Sequence, residues 1–291
     1  MILDLLTFDP GYPCESPQAY ADEVVRLVRK SWEDGADLVL LPEFTWMGLE
    51  ARVQKSPDDA SIYHTVSCTF WGTLMPGLRT QLSQPGKAVI LGSVPFADPH
   101  THRVFNRAPI LNGGQLSHQD KLHLTPWEKD FSPGGILYLW EFQGFRIAVV
   151  ICLDIEIPEI SARLRSDGVD LILCPSATET ILGVERVDRC ASARAVELGC
   201  HVAVAHLTGE AQSELIDKNI GRLAHYAPSQ ASFRHHPRWT ETEVWTAGQH
   251  SLRVTLEKQA LILMRRMHME TNPSHFGKEM AGHFTIHQVE S

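Results

Sequence analysis

At 291 residues, 43% hydrophobic and 21% charged, the chain has the composition of an ordinary globular protein with room for one large core. A formal charge of -9 without any run or stripe of Lys or Arg argues against a nucleic-acid or anionic-membrane surface and leaves a small molecule as the expected partner. There is no uninterrupted apolar window of about 18 residues. The opening M-I-L-D-L-L-T-F-D-P carries acids where a secretory signal carries a basic flank, so a cytoplasmic location is expected.

Segment 16 to 33 puts Tyr20, Val24, Leu27, Val28 and Trp32 on one helical face, and Gly35 stops it. The following A-D-L-V-L-L-P, from Ala36 to Pro42, is the continuous apolar run of a strand covered on both faces. Strands are predicted over 88 to 94, 104 to 111, 136 to 142 and 145 to 151, the last two joined by Gly144, and another run ends just before Lys121. A helix over 158 to 167, opened by Pro158 and closed by Gly168, leads into V-D-L-I-L-C-P. A second helix over 183 to 198, closed by Gly199, leads into H-V-A-V-A-H-L. Residues 208 to 250 read as long loops around a strand at 221 to 227, of the kind that serve function or subunit contact. A strand over 251 to 256 and a short helix to about 269 precede a polar tail. Alternating helices and buried strands imply an α/β layered fold. With no linker composition, one domain is expected over 1 to 291, its core spanning about 1 to 265 and its tail 270 to 291.

The six cysteines (14, 68, 152, 174, 190, 200) show no C-x-x-C and no regular spacing, as free thiols would. Fifteen histidines include no H-E-x-x-H; His118 with His123, and His235 with His236, are the candidate ligand pairs, and no metal is expected.

Three residues stand at or just beyond strand-like runs: Glu43 in L-V-L-L-P-E-F, Lys121 in H-Q-D-K-L-H-L-T-P-W-E and Cys152 in A-V-V-I-C-L-D-I-E-I-P-E. A carboxylate, an ammonium and a thiol supply the base, the cation for a developing oxyanion and the nucleophile needed to hydrolyse a small amide through a thioester. Cys152 stands on a strand-to-helix turn, where amide dipoles favour a thiolate. Glu128, seven residues after Lys121, adds a carboxylate that keeps the ammonium charged. Each residue alone has a plainer reading: Cys152 as a buried structural thiol, Glu43 as a strand-end carboxylate, Lys121 as a solvated lysine. A Cys-His peptidase fits poorly, because no C-G-S-C-W or Q-A-C-x-G surrounds Cys152.

Together, in this order, the three contexts resemble the nitrilase (carbon-nitrogen hydrolase) superfamily. Its pattern has a Glu after an apolar strand and Pro, a Lys followed seven residues later by a Glu, and C-x-D-x-x-x-P-E; here these are P-E-F, K-L-H-L-T-P-W-E and C-L-D-I-E-I-P-E. The resemblance continues through D-L-I-L-C-P-S-A (Asp170 to Ala177) and R-A-V-E-L-G-C-H-V-A-V-A (Arg194 to Ala205). L-T-P-W-E, with Glu156 where many relatives carry Arg, is similar to the branch often fused to an acetyltransferase domain; the length leaves no room for that domain, so a stand-alone hydrolase is expected.

The resemblance implies a four-layer α-β-β-α sandwich that forms a homodimer or higher homo-oligomer and needs no cofactor. It assigns Glu43 as general base and later acid, Cys152 as nucleophile, and Lys121 with the Leu153 amide as oxyanion stabiliser. Glu128 would orient Lys121 and the substrate or water. The first strand is short for the family, Leu153 stands where Tyr, His or Asn is frequent, and 208 to 250 follows no family pattern.

Phe44, Trp46 and Trp127 flank the acids, so a narrow aromatic-walled pocket is expected, though core packing would explain the same residues. Thr178, with Glu179 and Thr180 beside it, is expected to touch the substrate. Glu156 reads as an exposed helix-start carboxylate. Two other functions fit the same fold. A catalytically silent binding or assembly protein would not need all four positions filled. Acyl transfer to an acceptor other than water is not separable from hydrolysis by sequence.

Overall fold

The computed structural model describes residues 1 to 55, 61 to 213 and 215 to 267; the tail expected over 270 to 291 lies outside them. Strand β1 (Ile2–Leu6) is followed by helix α1 (Pro17–Glu33) and strand β2 (Leu38–Leu40). Ser16 caps α1 by accepting from Ala19 N at 3.1 Å, with Pro17 at the first helical position. A 3₁₀ turn (Met47–Arg52) leads to α2 (Ile62–Ser67), a π-helical stretch (Cys68–Leu74) and α3 (Met75–Gln81). Next come β3 (Ala88–Ile90), β4 (Val94–Ala97), β5 (Val104–Asn112), β6 (Gln115–Asp120), β7 (Leu139–Phe142) and β8 (Phe145–Val149). A 3₁₀ turn (Cys152–Glu156), α4 (Pro158–Leu164), β9 (Leu171–Ser176), α5 (Ile181–Leu198) and β10 (His201–His206) follow. The last described elements are β11 (Gly209–Glu210), β12 (Lys218–Asn219), β13 (Leu223–Tyr226), β14 (Trp239–Glu241), β15 (Ser251–Thr255) and α6 (Lys258–Arg266).

Two sheets result. One has the order β15-β1-β2-β3-β5-β4 with β6 also on β5, and the other the order β14-β13-β10-β9-β8-β7. Side chains alternate across a strand, and the two faces of the first sheet fall into different cores. Leu3, Leu5, Leu38, Leu40, Ala88 and Ile90 share a core with Ile147, Ile172 and Val204 of the second sheet. Leu6, Val39, Leu41, Val89 and Leu91 pack instead with Tyr20, Val24 and Val28 of α1 and Leu78 of α3. Helix α5 covers the far side of the second sheet through Val187, Ala191 and Ala195. The layers are therefore α-β-β-α.

The predicted strand over 88 to 94 is divided in two, and the reason lies at Gly92. Its φ is +68°, and a Cβ there would sit 2.1 Å from Pro42 O and 2.4 Å from Thr45 Oγ1. Only glycine fits both the left-handed backbone and the close approach. Helix α5 starts earlier than predicted because Thr180 Oγ1 caps it, accepting from Gly183 N at 3.3 Å. Helices α2 and α3 lie in a stretch for which no element was predicted. Within 208 to 250 the expected strand is β13, and β11, β12 and β14 are additional.

Candidate active site

Each chemistry-bearing residue is held by a turn at a strand end. Past β2, Leu41 N donates to Ile90 O at 3.0 Å, then Pro42 and Glu43 leave the sheet. Phe44 has φ +57°, its N–H donates to Ser93 Oγ at 2.9 Å, and Thr45 Oγ1 closes the turn onto Pro42 O at 2.7 Å. A left-handed Phe is strained and persists only because its surroundings fix it. Lys121 follows β6, its N–H donating to Asn106 O at 2.9 Å. Glu128 closes its own turn: its Oε2 accepts from Thr125 N at 2.9 Å and Thr125 Oγ1 at 3.1 Å. Cys152 begins its 3₁₀ turn at φ +47°, a second strained non-glycine residue.

These turns converge. Lys121 Nζ lies 2.8 Å from Glu43 Oε1 and 2.7 Å from Glu128 Oε2, with all three side chains buried. Asn106 Nδ2, from the middle of β5, donates to Glu43 Oε1 at 2.9 Å and to Glu128 Oε1 at 3.1 Å. Glu43 Oε2 accepts from Ala177 N at 3.0 Å. The Cys152 thiol reaches Ala177 O at 3.6 Å.

Burial raises the Glu43 carboxyl above its usual range, an effect that Lys121 opposes and Glu128 reinforces. Burial alone would push the Lys121 ammonium down, but Glu43 and Glu128 outweigh it and keep Lys121 protonated. The Cys152 thiol is pushed well up by burial and then by the Glu43 charge, with Lys121 opposing. This corrects the expectation of a dipole-favoured thiolate. Helix α4 starts only at Pro158, the thiol is buried, and its resting form is neutral.

Two side chains that sequence reasoning passed over align the halves of the site. Asp154, buried in the Cys152 turn, accepts from Leu122 N at 3.0 Å and His123 N at 2.7 Å, and its Oδ1 lies 2.9 Å from His123 Nδ1. One carboxylate thus ties the nucleophile turn to the residues after Lys121. From α5, Arg194 donates to Ile155 O at 3.2 Å and to Glu156 O at 3.4 Å, clamping the same turn from the other side. Glu156 is not the exposed carboxylate expected: its side chain is largely buried and its Oε2 pairs with Arg186 Nε at 2.7 Å.

A cavity of about 70 Å³ opens onto this cluster, lined by Glu43, Lys121, Glu128 and Cys152 together with Phe44, Trp127, Thr178 and Asn219 among others. Of these, Trp127 is 74% exposed at the mouth. Trp46 does not line it. After the left-handed Phe44 the chain turns inward, and Trp46 packs beneath the site against Tyr20 and Phe70, donating Nε1–H to Leu91 O at 2.8 Å. Leu153 follows Cys152 in the same turn, so its amide is adjacent to the nucleophile by covalent connection. Thr178 is braced from behind: its Oγ1 donates to Ile220 O at 2.9 Å and lies 3.2 Å from His206 Nδ1.

Residues 10 to 251 match the sequence model of the carbon-nitrogen hydrolase family. The chain belongs to that family. It is 28% identical over 222 residues to a probable hydrolase, YhcX, of Bacillus subtilis, covering 74% of this chain and 42% of that one. It is 31% identical over 139 residues to an (R)-stereoselective amidase of a Pseudomonas species, covering 47% of each. The aligned regions therefore span less than half the length of both relatives. Among solved structures, a mutant amidase of Nesterenkonia sp. AN1 superposes with a TM-score of 0.69 at 22% identity, covering 91% of this chain and 94% of that one. That structure shows the acetamide moiety of fluoroacetamide added covalently at its active-site cysteine. At such identity the likeness speaks for the shared nitrilase fold. Among the described residues no helix is long and apolar enough to cross a membrane.

Proposed function

We propose that this carbon-nitrogen hydrolase cleaves small non-peptide amides, of amidase or carbamoylase type, through a thioester on Cys152. The observation that carries the reading is the Lys121 ammonium held between Glu43 and Glu128 on the wall that also bears the Cys152 thiol. Glu43 accepts the thiol proton as sulfur bonds to the amide carbon, and the carbonyl π pair moves to oxygen. Lys121 and the Leu153 amide stabilise that oxyanion. As the tetrahedral species collapses the C–N bond breaks, Glu43 returns the proton to the leaving nitrogen, and the amine departs. Water then gives a proton to Glu43 and attacks the thioester; the carboxylic acid leaves and the thiol is restored. Glu128 orients Lys121 and keeps it charged, and every proton in the cycle passes through Glu43.

The raised Glu43 carboxyl suits this role, since a stronger base takes a proton more readily from a buried thiol. The amidase activity named for the Pseudomonas relative and the cysteine adduct in the Nesterenkonia amidase support the same reading. We place all 291 residues in one such domain. The exposed Ile181, Leu182 and Val196 of α5 suit a contact between copies of the chain in a homodimer. The test is intact-mass measurement during incubation with small amides and carbamoyl compounds. An acyl adduct that accumulates on the wild type and is absent from Cys152→Ala is the expected result. Turnover surviving Cys152→Ala would sink the mechanism.

A further inference from the structure

Asn219, in the two-stranded β11–β12 ribbon, lines the candidate cavity and is only 2% exposed. Its Nδ2 faces Gly209 O at 3.5 Å, an orientation fixed by chemistry because a carbonyl can only accept. Its Oδ1 is buried without a hydrogen-bond partner among the described residues. A buried amide oxygen with no donor is costly, and native proteins rarely tolerate one without a use. In a substrate cavity, the use at hand is a donor carried by the ligand.

The rest of the lining narrows the ligand further. Leu215 and Ile216, just ahead of Asn219 in the chain, give the same cavity an apolar surface. For a primary amide the only substituent that can reach this wall is the acyl group, because the leaving nitrogen has to face Glu43. Glu43, Glu128 and Glu179 line the cavity against the single cation Lys121, whose ammonium is already shared by two carboxylates. Among the described residues no lining group is free to pair with a substrate carboxylate, and bringing one in would bury it beside like charge. The cavity volume of about 70 Å³ admits only a short chain.

Resting on the amidase reading, we propose that Asn219 determines specificity: the site takes short, uncharged amides whose acyl group carries an O–H or N–H donor, received by Asn219 Oδ1. A 2-hydroxy amide is the simplest member of this class.

The test uses an isosteric pair, glycolamide and propionamide, which differ by hydroxyl against methyl at one position, with malonamate as the anionic probe. Wild-type kcat/KM is expected to favour glycolamide over propionamide roughly tenfold, the worth of one well-made hydrogen bond. Malonamate is expected to fall roughly a hundredfold below glycolamide. In Asn219→Leu the glycolamide-to-propionamide ratio collapses to about one or below, with the loss mainly in KM, as expected when ground-state and transition-state binding are lost together. Because it is a ratio within one preparation, it does not depend on the fraction of protein folded. A wild-type preference for propionamide or malonamate, or a ratio unchanged in Asn219→Leu, overturns the proposal. Calorimetric binding of the same pair to Cys152→Ala, with and without Asn219→Leu, reads recognition without chemistry. Selective binding of glycolamide without turnover by the wild type would uphold the recognition and count against the hydrolase reading. Turnover without selectivity would do the reverse.

Discussion

Two of the molecule's buried clusters of titratable groups are treated in opposite ways. At the site, Glu43, Lys121 and Glu128 are buried as an ion-paired cluster, the ammonium within 2.8 Å of one carboxylate and 2.7 Å of the other. In the core of the second sheet, His201 on β10 and His225 on β13 stack with ring centroids 5.1 Å apart, and His201 Nδ1 lies 3.0 Å from His225 Nε2. Glu257 N donates to His201 Nε2 at 3.2 Å, so His201 carries its proton on Nδ1 and gives it to His225. With no counter-charge in that pair, burial drives His201 well below the usual imidazole range and His225 down to about 4. Both clusters satisfy hydrogen bonds, but only the first keeps ions, and keeping them is expensive. Ion pairing holds the first cluster together, whereas the second, with no counter-charge in the pair, is kept neutral by burial.

The contrast breaks most sharply at Glu43. Glu43→Gln leaves a hydrogen-bonding amide beside Lys121 but removes the base, and kcat/KM for a small amide is expected to fall by roughly 10³-fold. The same variant tests the pH dependence. The base works only when unprotonated, so wild-type activity falls as pH drops through the Glu43 pKa, and that limb lies above the ordinary carboxylate range. Profiles of kcat/KM against pH are expected to show the limb in the wild type and lose it in Glu43→Gln.

The histidine pair sharpens the comparison from the other side. An unfolded chain protonates His225 near the unperturbed value of about 6.5, whereas the folded chain resists until about 4. Stability is therefore lost as pH falls through that window and the loss levels off below it. The expected size is about 3 kcal/mol for His225 alone. Denaturant midpoints between neutral pH and pH 4 measure this, and His225→Gln should flatten the slope. Midpoints independent of pH would mean that the pair is not held neutral.

The smallest of the three effects concerns alignment. Asp154→Asn presents an NH₂ to one of the two backbone donors, Leu122 N or His123 N, and loosens the turn bearing Cys152. A loss of ten- to a hundredfold in kcat, with less change in KM, is expected from misplacing the nucleophile relative to Lys121. A matching loss of thermal stability with kcat per folded molecule unchanged would assign Asp154 to folding only.

Glu43, Lys121 and Cys152 were legible because each stands at a strand end, where local pattern alone tells which residues leave the sheet, and Glu128 by its spacing of seven residues from Lys121. That they meet is the part their order along the chain and the family resemblance supplied. Asn106 was not legible: a lone Asn inside V-F-N-R-A-P breaks an apolar strand, which is a signal of low β propensity, but its partners Glu43 and Glu128 are 63 and 22 residues away. Asn219 depends on the pairing of Gly209–Glu210 with Lys218–Asn219, which no periodicity encodes. Trp46 was misplaced because the reversal at Phe44 is a tertiary strain, enforced by Ser93 and by Gly92, nearly fifty residues away. Periodicity gives the faces of elements; it does not give the turns that aim residues between them.

Strand β15 pairs antiparallel with β1 from Ile2↔Thr255 to Leu6↔Ser251 and forms the outer margin of its sheet. Its Arg253 holds Asp4 through Nε at 2.7 Å and Nη2 at 2.8 Å. Without it the margin would be I-L-D-L-L, an apolar strand with unmet backbone donors and acceptors, which invites pairing with any exposed strand of another molecule. β15, polar and charged on its exposed positions, covers that apolar margin while contributing nothing to the lining of the candidate cavity.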